Sequence, residues 1–425
     1  MTAPGRIPAD PAPVAAAAPL LAGPLLIDPV PADLLEEYLL LALRLDRLLP
    51  GLVEPGAVAP ELRLHVAAEP RPSASDLVRT SGRLLDRVGR AGLDPQRREF
   101  LAGQLRAVEC TARRLTGQSV SFAREIRECF DVAVAPGEPD RYRDAHRELA
   151  ELLPGRDQLG TRLARYRAGL QVPPDRLEAA ATTLAAVLRD RLGAQLPLPA
   201  GETVAFQVVP DAPWAALHRY RGGYRSRVLL NAGAQPRRDQ IAQLVAHEAY
   251  PGHHTERCRK ELVLVGAGHD EHRVVIANSP SSLIAEGAAE LGPAALLGAG
   301  WRSLVAAALA ELGLGFDGEL AERVHAATSW LARVRLDAAL LLHDARAPAE
   351  QAVDHLQRWL LVDERRARQQ VRFLQHPVWR AYSVTYVDGA ELLRQWWDRA
   401  PGPARLRSLL DEPWTPCAIR AELRV

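Results

Sequence analysis

Lysine is almost missing from this sequence: of 53 Lys and Arg residues only Lys260 is a lysine. Schiff-base chemistry and a phosphate-cradling P-loop lysine are thereby excluded everywhere but at that one position. Cysteine is scarce too, with Cys110, Cys129, Cys258 and Cys417 in neither a C-x-x-C spacing nor a dense framework. Free, buried thiols in a reducing cytoplasm are the expectation. No stretch of 18 uninterrupted apolar residues offers a membrane span. The net charge of +1 arises from 53 bases and 52 acids that are interspersed, so neither nucleic acid nor a membrane surface is an expected partner.

What is present is helical periodicity. Apolar residues recur at three- and four-residue spacing from Leu34 onward, and helices are expected over 74–91, 96–115, 141–153 and 174–192. After residue 283 helices are expected over 304–312, 320–342, 349–374 and 390–399. Alternation predicts strands over 203–209 and 224–231, with a third candidate at 274–277. Residues 1–30, rich in Ala and Pro, make a poor signal peptide and read as a disordered or loosely packed arm. Residues 31–200 form an N-terminal helical region and 201–425 the region bearing the chemistry, with one continuous domain across both left open. The fold class is mainly α with a small sheet beside one special helix.

That helix ends in His247-Glu248-Ala249-Tyr250-Pro251-Gly252-His253-His254. Zinc readily takes neutral imidazole nitrogen, and a Glu beside a ligating His reaches the metal's water. In H-E-x-x-H the two His lie one turn apart on one face. Here proline occupies position 251, so the motif is zincin-like with an insertion. Pro251 cannot continue the helix and Gly252 permits an unusual turn. On a straight helix His254 would lie roughly 10 Å from His247 along the axis. A kink at Pro251-Gly252 is needed to bring His253, the favoured second ligand, or His254, its competitor, to the same ion. Glu286, in a small-residue helix downstream, is the candidate third ligand, and Glu290 one turn on the candidate acceptor from a ligating imidazole. A rival donor group is His269-Asp270-Glu271-His272.

These residues resemble the bacterial family called domain of unknown function 885, which is similar to the gluzincin metallopeptidases. The likeness rests on His247 to His254, on Glu286-Gly287 and on Tyr386-Val387-Asp388-Gly389, with Trp214, Tyr220 to Arg227, Asp337 and His343 as further matches. It covers residues 210–390 specifically. The family's common Glu-Gly-Trp reads Glu286-Gly287-Ala288 here, and its usual Gln after the His pair is Glu256. The resemblance implies a mainly α, multi-helix zincin-like metallohydrolase using one Zn2+, or another divalent transition metal, per chain. It selects Tyr386 over Tyr382 as the donor to a developing oxyanion.

The expected activity is therefore hydrolysis of an amide bond in a peptide, with Glu248 as general base. Tyr224 to Asn231 is the candidate edge strand for pairing an extended peptide, with Trp214, Tyr220, Tyr224 and Ser226 as substrate contacts. Arg380 is a candidate for a substrate carboxylate. Asp337 and His343, six residues apart and so on different helix faces, are candidate supports of the site. A non-peptidase hydrolase of small amides and a catalytically inactive binding protein are the alternatives.

Overall fold

The computed structural model describes residues 31–212 and 214–424; the expected N-terminal arm lies outside them. The N-terminal helices are α1 (Ala32–Leu48), α2 (Pro60–Ala68), α3 (Ala74–Arg90), α4 (Pro95–Leu115), α5 (Phe122–Phe130), α6 (Pro139–Leu152), α7 (Leu159–Gly169) and α8 (Pro174–Gly193). Then come strands β2 (Thr203–Val209), β3 (Ala216–Tyr220) and β4 (Arg225–Asn231), followed by α9 (Arg238–Glu248) and α10 (His253–Val263). The remaining helices are α11 (Pro280–Leu297), α12 (Trp301–Ala310), α13 (Gly318–Ser329), α14 (Val334–His343), α15 (Ala349–Leu360), α16 (Glu364–Gln375), α17 (Ala390–Asp398), α18 (Pro403–Asp411) and α19 (Pro416–Arg424). A two-residue ribbon pairs β1 (Val53–Glu54) with β5 (Val275–Ile276). The mainly helical expectation with small sheets holds.

Local chemistry sets many boundaries. Asp94 caps α4 by accepting from the Gln96 and Arg97 amides, with Pro95 at the first helical position. Ser279 and Pro280 open α11 in the same way. Two expected long helices are each broken. The stretch 320–342 divides at a tight turn over Trp330–Arg333. The stretch 349–374 divides where Leu361 takes a left-handed φ of 54° and Asp363 caps α16. Apolar periodicity runs across both breaks, which is why it conceals them.

The core has three regions. One packs α1, α3 and α4 around Leu41, Leu84 and Leu101, with Val274 and Ile276. A second joins α8 and α9 to the sheet through Leu184, Val228, Leu230 and Val245. The third combines Phe122, Phe130 and Leu149 with Leu283, Val334, Leu356 and Trp396. All three draw on both sides of residue 200. Among the described residues no single helix is long and apolar enough to cross a membrane; α11 with α12 passes only as a pair bent by 76°.

The main sheet has the order β2-β4-β3, with β2 parallel and β3 antiparallel to β4. The strand expected over 224–231 is therefore central, and the edge beside the site is β3, which was not anticipated. Part of that edge is already occupied. The Tyr220 amide donates to Glu54 Oε1 at 2.9 Å, and the His218 amide is hydrogen-bonded to Glu248. Lys260 is buried, 5 % exposed, and its Nζ donates to Glu256 Oε1 at 2.6 Å.

Candidate metal centre

After Glu248 the helix stops, and a cis Tyr250–Pro251 peptide and Gly252 lead directly into α10. The turn is tied by Gly252 N–H to Ala246 O at 2.9 Å and by the Thr255 hydroxyl to Ala249 O at 3.0 Å. Gly252 is required by close approach: a Cβ there would overlap the carbonyl oxygens of His247 and Ala246. This turn sets the His253 ring 4.8 Å from the His247 ring, centroid to centroid, at 90°.

Glu286 comes from α11 and meets both rings. His247 Nε2 lies 3.1 Å from Glu286 Oε2 and His253 Nε2 lies 3.3 Å from Oε1. One donor atom from each of the three residues lies within 4.8 Å of the others. Ligand atoms around a tetrahedral zinc at 2.0–2.2 Å sit about 3.3–3.6 Å apart, so this spacing suits a single ion. Buried Glu286 Oε2 makes no well-aligned hydrogen bond, although His247 Nε2 lies 3.1 Å away, and a cation held between the three residues would satisfy it. Burial pushes the His253 pKa down, but Glu286 and Glu256 outweigh it and raise it to about 9. His247 is likewise raised well above its ordinary value against burial, by Glu286 and Glu290. Burial would raise Glu286, yet the two imidazoles hold it well below the usual carboxylate range. The set calls for positive charge at its centre.

Glu290 lies 3.3 Å from His247 Nδ1, as expected of an imidazole-orienting group, and Gln243 Nε2 donates to it at 3.2 Å. Glu248 is buried beside the trio without belonging to it. Burial raises its pKa, and His247 and His253 only partly offset this. Tyr386, 41 % exposed, faces the site with its ring 6.3 Å from that of His247. The trio, Glu248 and Tyr386 line a cavity of about 230 Å³ whose walls include Trp214, Phe373, Trp379, Val53 and Arg257.

One side chain that sequence reasoning passed over is in direct contact with the trio. Tyr382 donates from its hydroxyl to Glu286 Oε1 at 2.6 Å. Tyr382 and Tyr386 flank the start of a π-helical turn, Thr385–Gly389, and their spacing of four residues was the available signal. The turn sits tightly on α11: a Cβ on Gly287 would lie 2.5 Å from Gly389 O, and one on Gly389 2.7 Å from Leu283 O. Both glycines thus set the distance between Glu286 and the tyrosines. Tyr382→Phe is expected to weaken metal binding about 10- to 100-fold, as loss of a ligand's hydrogen-bond partner commonly does; competition with a chelator measures this.

Several expected site residues lie elsewhere. His254 is 1 % exposed and bonded through Nδ1 to Ser226 Oγ and through Nε2 to Glu202 Oε2, both at 2.8 Å, so it is not a ligand. Ser226 is buried in that network instead of contacting substrate. Tyr220 is turned away, its hydroxyl donating to Glu261 Oε2 at 2.6 Å, and Tyr224 sits in the turn before β4 with φ 60°. Arg380 lies 3.0 Å from buried Glu125 and over the Phe122 ring. Asp337 accepts from Tyr142 and the Gly137 amide, and His343 bonds Leu374 O. Of the substrate candidates, Trp214 alone lines the cavity.

The rival group does converge, with His269, Glu271 and His272 donor atoms within 4.8 Å. However, Arg97 holds both Glu271 oxygens at 2.7 and 2.9 Å, and Lys260 and Arg257 act on His272. Those cations disfavour a divalent ion.

No family model matches the sequence, and no curated protein matches it. Two solved structures are similar to the chain. One is described as a candidate lipoprotein from Colwellia psychrerythraea, with 14 % identity and a TM-score of 0.45 over 83 % of this chain and 67 % of that one. The other is a candidate lipoprotein of unknown function from Shewanella oneidensis, with 12 % identity and a TM-score of 0.48 over 86 % and 76 %.

Proposed function

We propose that the protein is a zinc-dependent hydrolase of amide bonds, a zincin-like peptidase in keeping with its resemblance to the domain of unknown function 885 family. The convergence of one donor atom each from His247, His253 and Glu286, within 4.8 Å of one another at the cavity, carries this reading. A zinc ion held by these three supplies Lewis acidity and an acidified water. Glu248, buried next to the trio and raised in pKa, accepts the proton and delivers it to the leaving amine. The Tyr386 hydroxyl donates to the oxyanion that develops on the carbonyl. Trp214, Phe373 and Trp379 hold an apolar part of the substrate and exclude water.

A second reading, a hydrolase of short peptides or small amides, draws on the occupied edge of β3. With the Tyr220 and His218 amides bonded to Glu54 and Glu248, little of that strand is left to pair a long chain. A reducing compartment such as the cytoplasm suits the free Cys110, Cys129, Cys258 and Cys417.

Elemental analysis of protein purified without added metal tests the proposal. About one divalent transition ion per chain is expected, lost in His253→Ala and kept in His254→Ala. A protein with no tightly held metal and no hydrolysis of a peptide and amide panel after zinc addition would be a binding protein instead.

A further inference from the structure

A buried chain of hydrogen bonds runs from the cavity wall to the protein's exterior. His218, on β3, lines the cavity, with its ring 5.9 Å from that of His253. Its Nε2 lies 2.8 Å from Ser226 Oγ, and Ser226 Oγ lies 2.8 Å from His254 Nδ1. His254 Nε2 lies 2.8 Å from Glu202 Oε2. Glu202 also accepts from the Tyr250 hydroxyl at 2.7 Å and from half-exposed Arg189 at 2.5 Å. His218, Ser226, His254 and Glu202 are all buried.

The chain has a direction, because its far end can only accept. Burial alone would raise the Glu202 pKa, but hydrogen bonds from His254, Tyr250 and Arg189 lower it to about 2, so it is a carboxylate at neutral pH. His254 Nε2 must then carry hydrogen and donate to it. With His254 neutral, a lone pair is left on its Nδ1, which accepts the Ser226 hydroxyl hydrogen. Ser226 Oγ in turn accepts from His218 Nε2–H. Each link fixes the next, and the order ends with His218 carrying hydrogen on Nε2 and a lone pair on Nδ1. Among the described residues no protein group is bonded to that Nδ1.

We propose that His218 Nδ1 is a fixed hydrogen-bond acceptor of the cavity that receives an N–H of the substrate, with Ser226, His254 and Glu202 as positioning residues that set its tautomer. The substrate class is thus an amide or amine that presents a donor toward β3. The recognition step rests on the reading of this cavity as the substrate site; the tautomer stands without it. A hydrogen on Nδ1 would convert the acceptor to a donor and oppose the same ligand. The inference also gives the second histidine of the pair a role: His253 faces the ligand cluster, and His254 holds the recognition group in register.

The test uses the full chain labelled with 15N-histidine. One-bond 15N–1H correlations are expected to place the His218 proton on Nε2 and none on Nδ1. In Glu202→Gln, the amide oxygen must face Arg189, which only donates, so the amide NH2 faces His254. Every hydrogen in the chain then reverses, and the His218 proton is expected to move to Nδ1, three residues away from the change, with metal content unaltered. Should that variant not fold, Ser226→Ala serves: His218 is expected to lose its single tautomer, and Ser226→Thr, which keeps the hydroxyl, to restore it. Benzamide, which carries N–H, is expected to shift the His218 Nδ1 resonance, and N,N-dimethylbenzamide, which has none, to leave it in place.

A proton on Nδ1 in the unaltered protein overturns the assignment, as does a tautomer indifferent to both Glu202→Gln and Ser226→Ala. Equal shifts from the two benzamides, or none from either, overturn the recognition step. None of these readouts requires turnover. Absence of hydrolysis would therefore count against the proposed activity alone.

Discussion

Glu248→Gln is expected to lower turnover by about two to four decades, roughly 3–5 kcal/mol in the barrier, while metal content stays at the level of the unaltered protein. The glutamine retains size and hydrogen-bonding reach, including acceptance from the His218 amide, but cannot take a proton. The trio of His247, His253 and Glu286 does not include Glu248, so the ion has no reason to leave. Glu286→Gln is expected to do the opposite and lose metal first. A neutral amide oxygen is a poor substitute for a carboxylate between two imidazoles, and the Tyr382 hydroxyl already occupies one oxygen position. Parallel metal analysis and single-turnover rates on the two variants separate the roles. Loss of metal from Glu248→Gln with retention in Glu286→Gln would show that base and ligand have been exchanged in this assignment.

Gly252→Ala is expected to be the most damaging single methyl group in the protein. The added Cβ would overlap two backbone carbonyl oxygens, those of Ala246 and His247, at the end of a buried helix. Neither is a side chain that can rotate away. The turn must open, and His253 is carried off with it, so loss of metal should accompany a destabilisation of about 4 kcal/mol or more, the range of severe single substitutions. Gly82→Ala in α3, where nothing lies within 4 Å of the new carbon, is the control and should be neutral or stabilising by up to about 1 kcal/mol. Urea midpoints and metal content of the two proteins decide the matter. A Gly252→Ala protein with ordinary stability and full metal would mean that this turn does not hold the site.

The parts of the site legible in sequence are those fixed by spacing within one helix. His247 and Glu248 end α9 together, and Glu286 and Glu290 share a face of α11, so their relation needed no tertiary knowledge. The choice between His253 and His254 did need it. Adjacent residues point in different directions at the start of a new helix, and the geometry of the intervening turn decides which one swings toward His247. Ser226, Tyr220 and Tyr224 fell near the motif in sequence, but Ser226 on central β4 joins the buried network with His254, the Tyr220 hydroxyl at the end of β3 bonds Glu261, and Tyr224 lies in the turn between those strands. Asp337, His343 and Arg380 were misplaced for another reason. Their partners Tyr142, Leu374 and Glu125 come from other helices, and Tyr142 lies 195 positions from Asp337 and Glu125 255 from Arg380 in the chain. Helical periodicity reports which face is apolar and is silent about which neighbour covers it. The mainly α class was legible for that same reason, whereas the helix breaks at Trp330 and Leu361 were not.

The scarcity of lysine acquires a further meaning once Lys260 is placed. Its ammonium group is enclosed and engaged by Glu256, so among the described residues the folded protein offers no free side-chain amine at its surface. The basic exterior is guanidinium throughout, a group that keeps its charge at any physiological pH and does not act as a nucleophile there. Acetylation, ubiquitin-type tagging and amine-directed cross-linking or immobilisation would find no lysine to act upon until the chain unfolds. Attachment of a single Lys260-reactive label would then serve as a count of unfolded molecules.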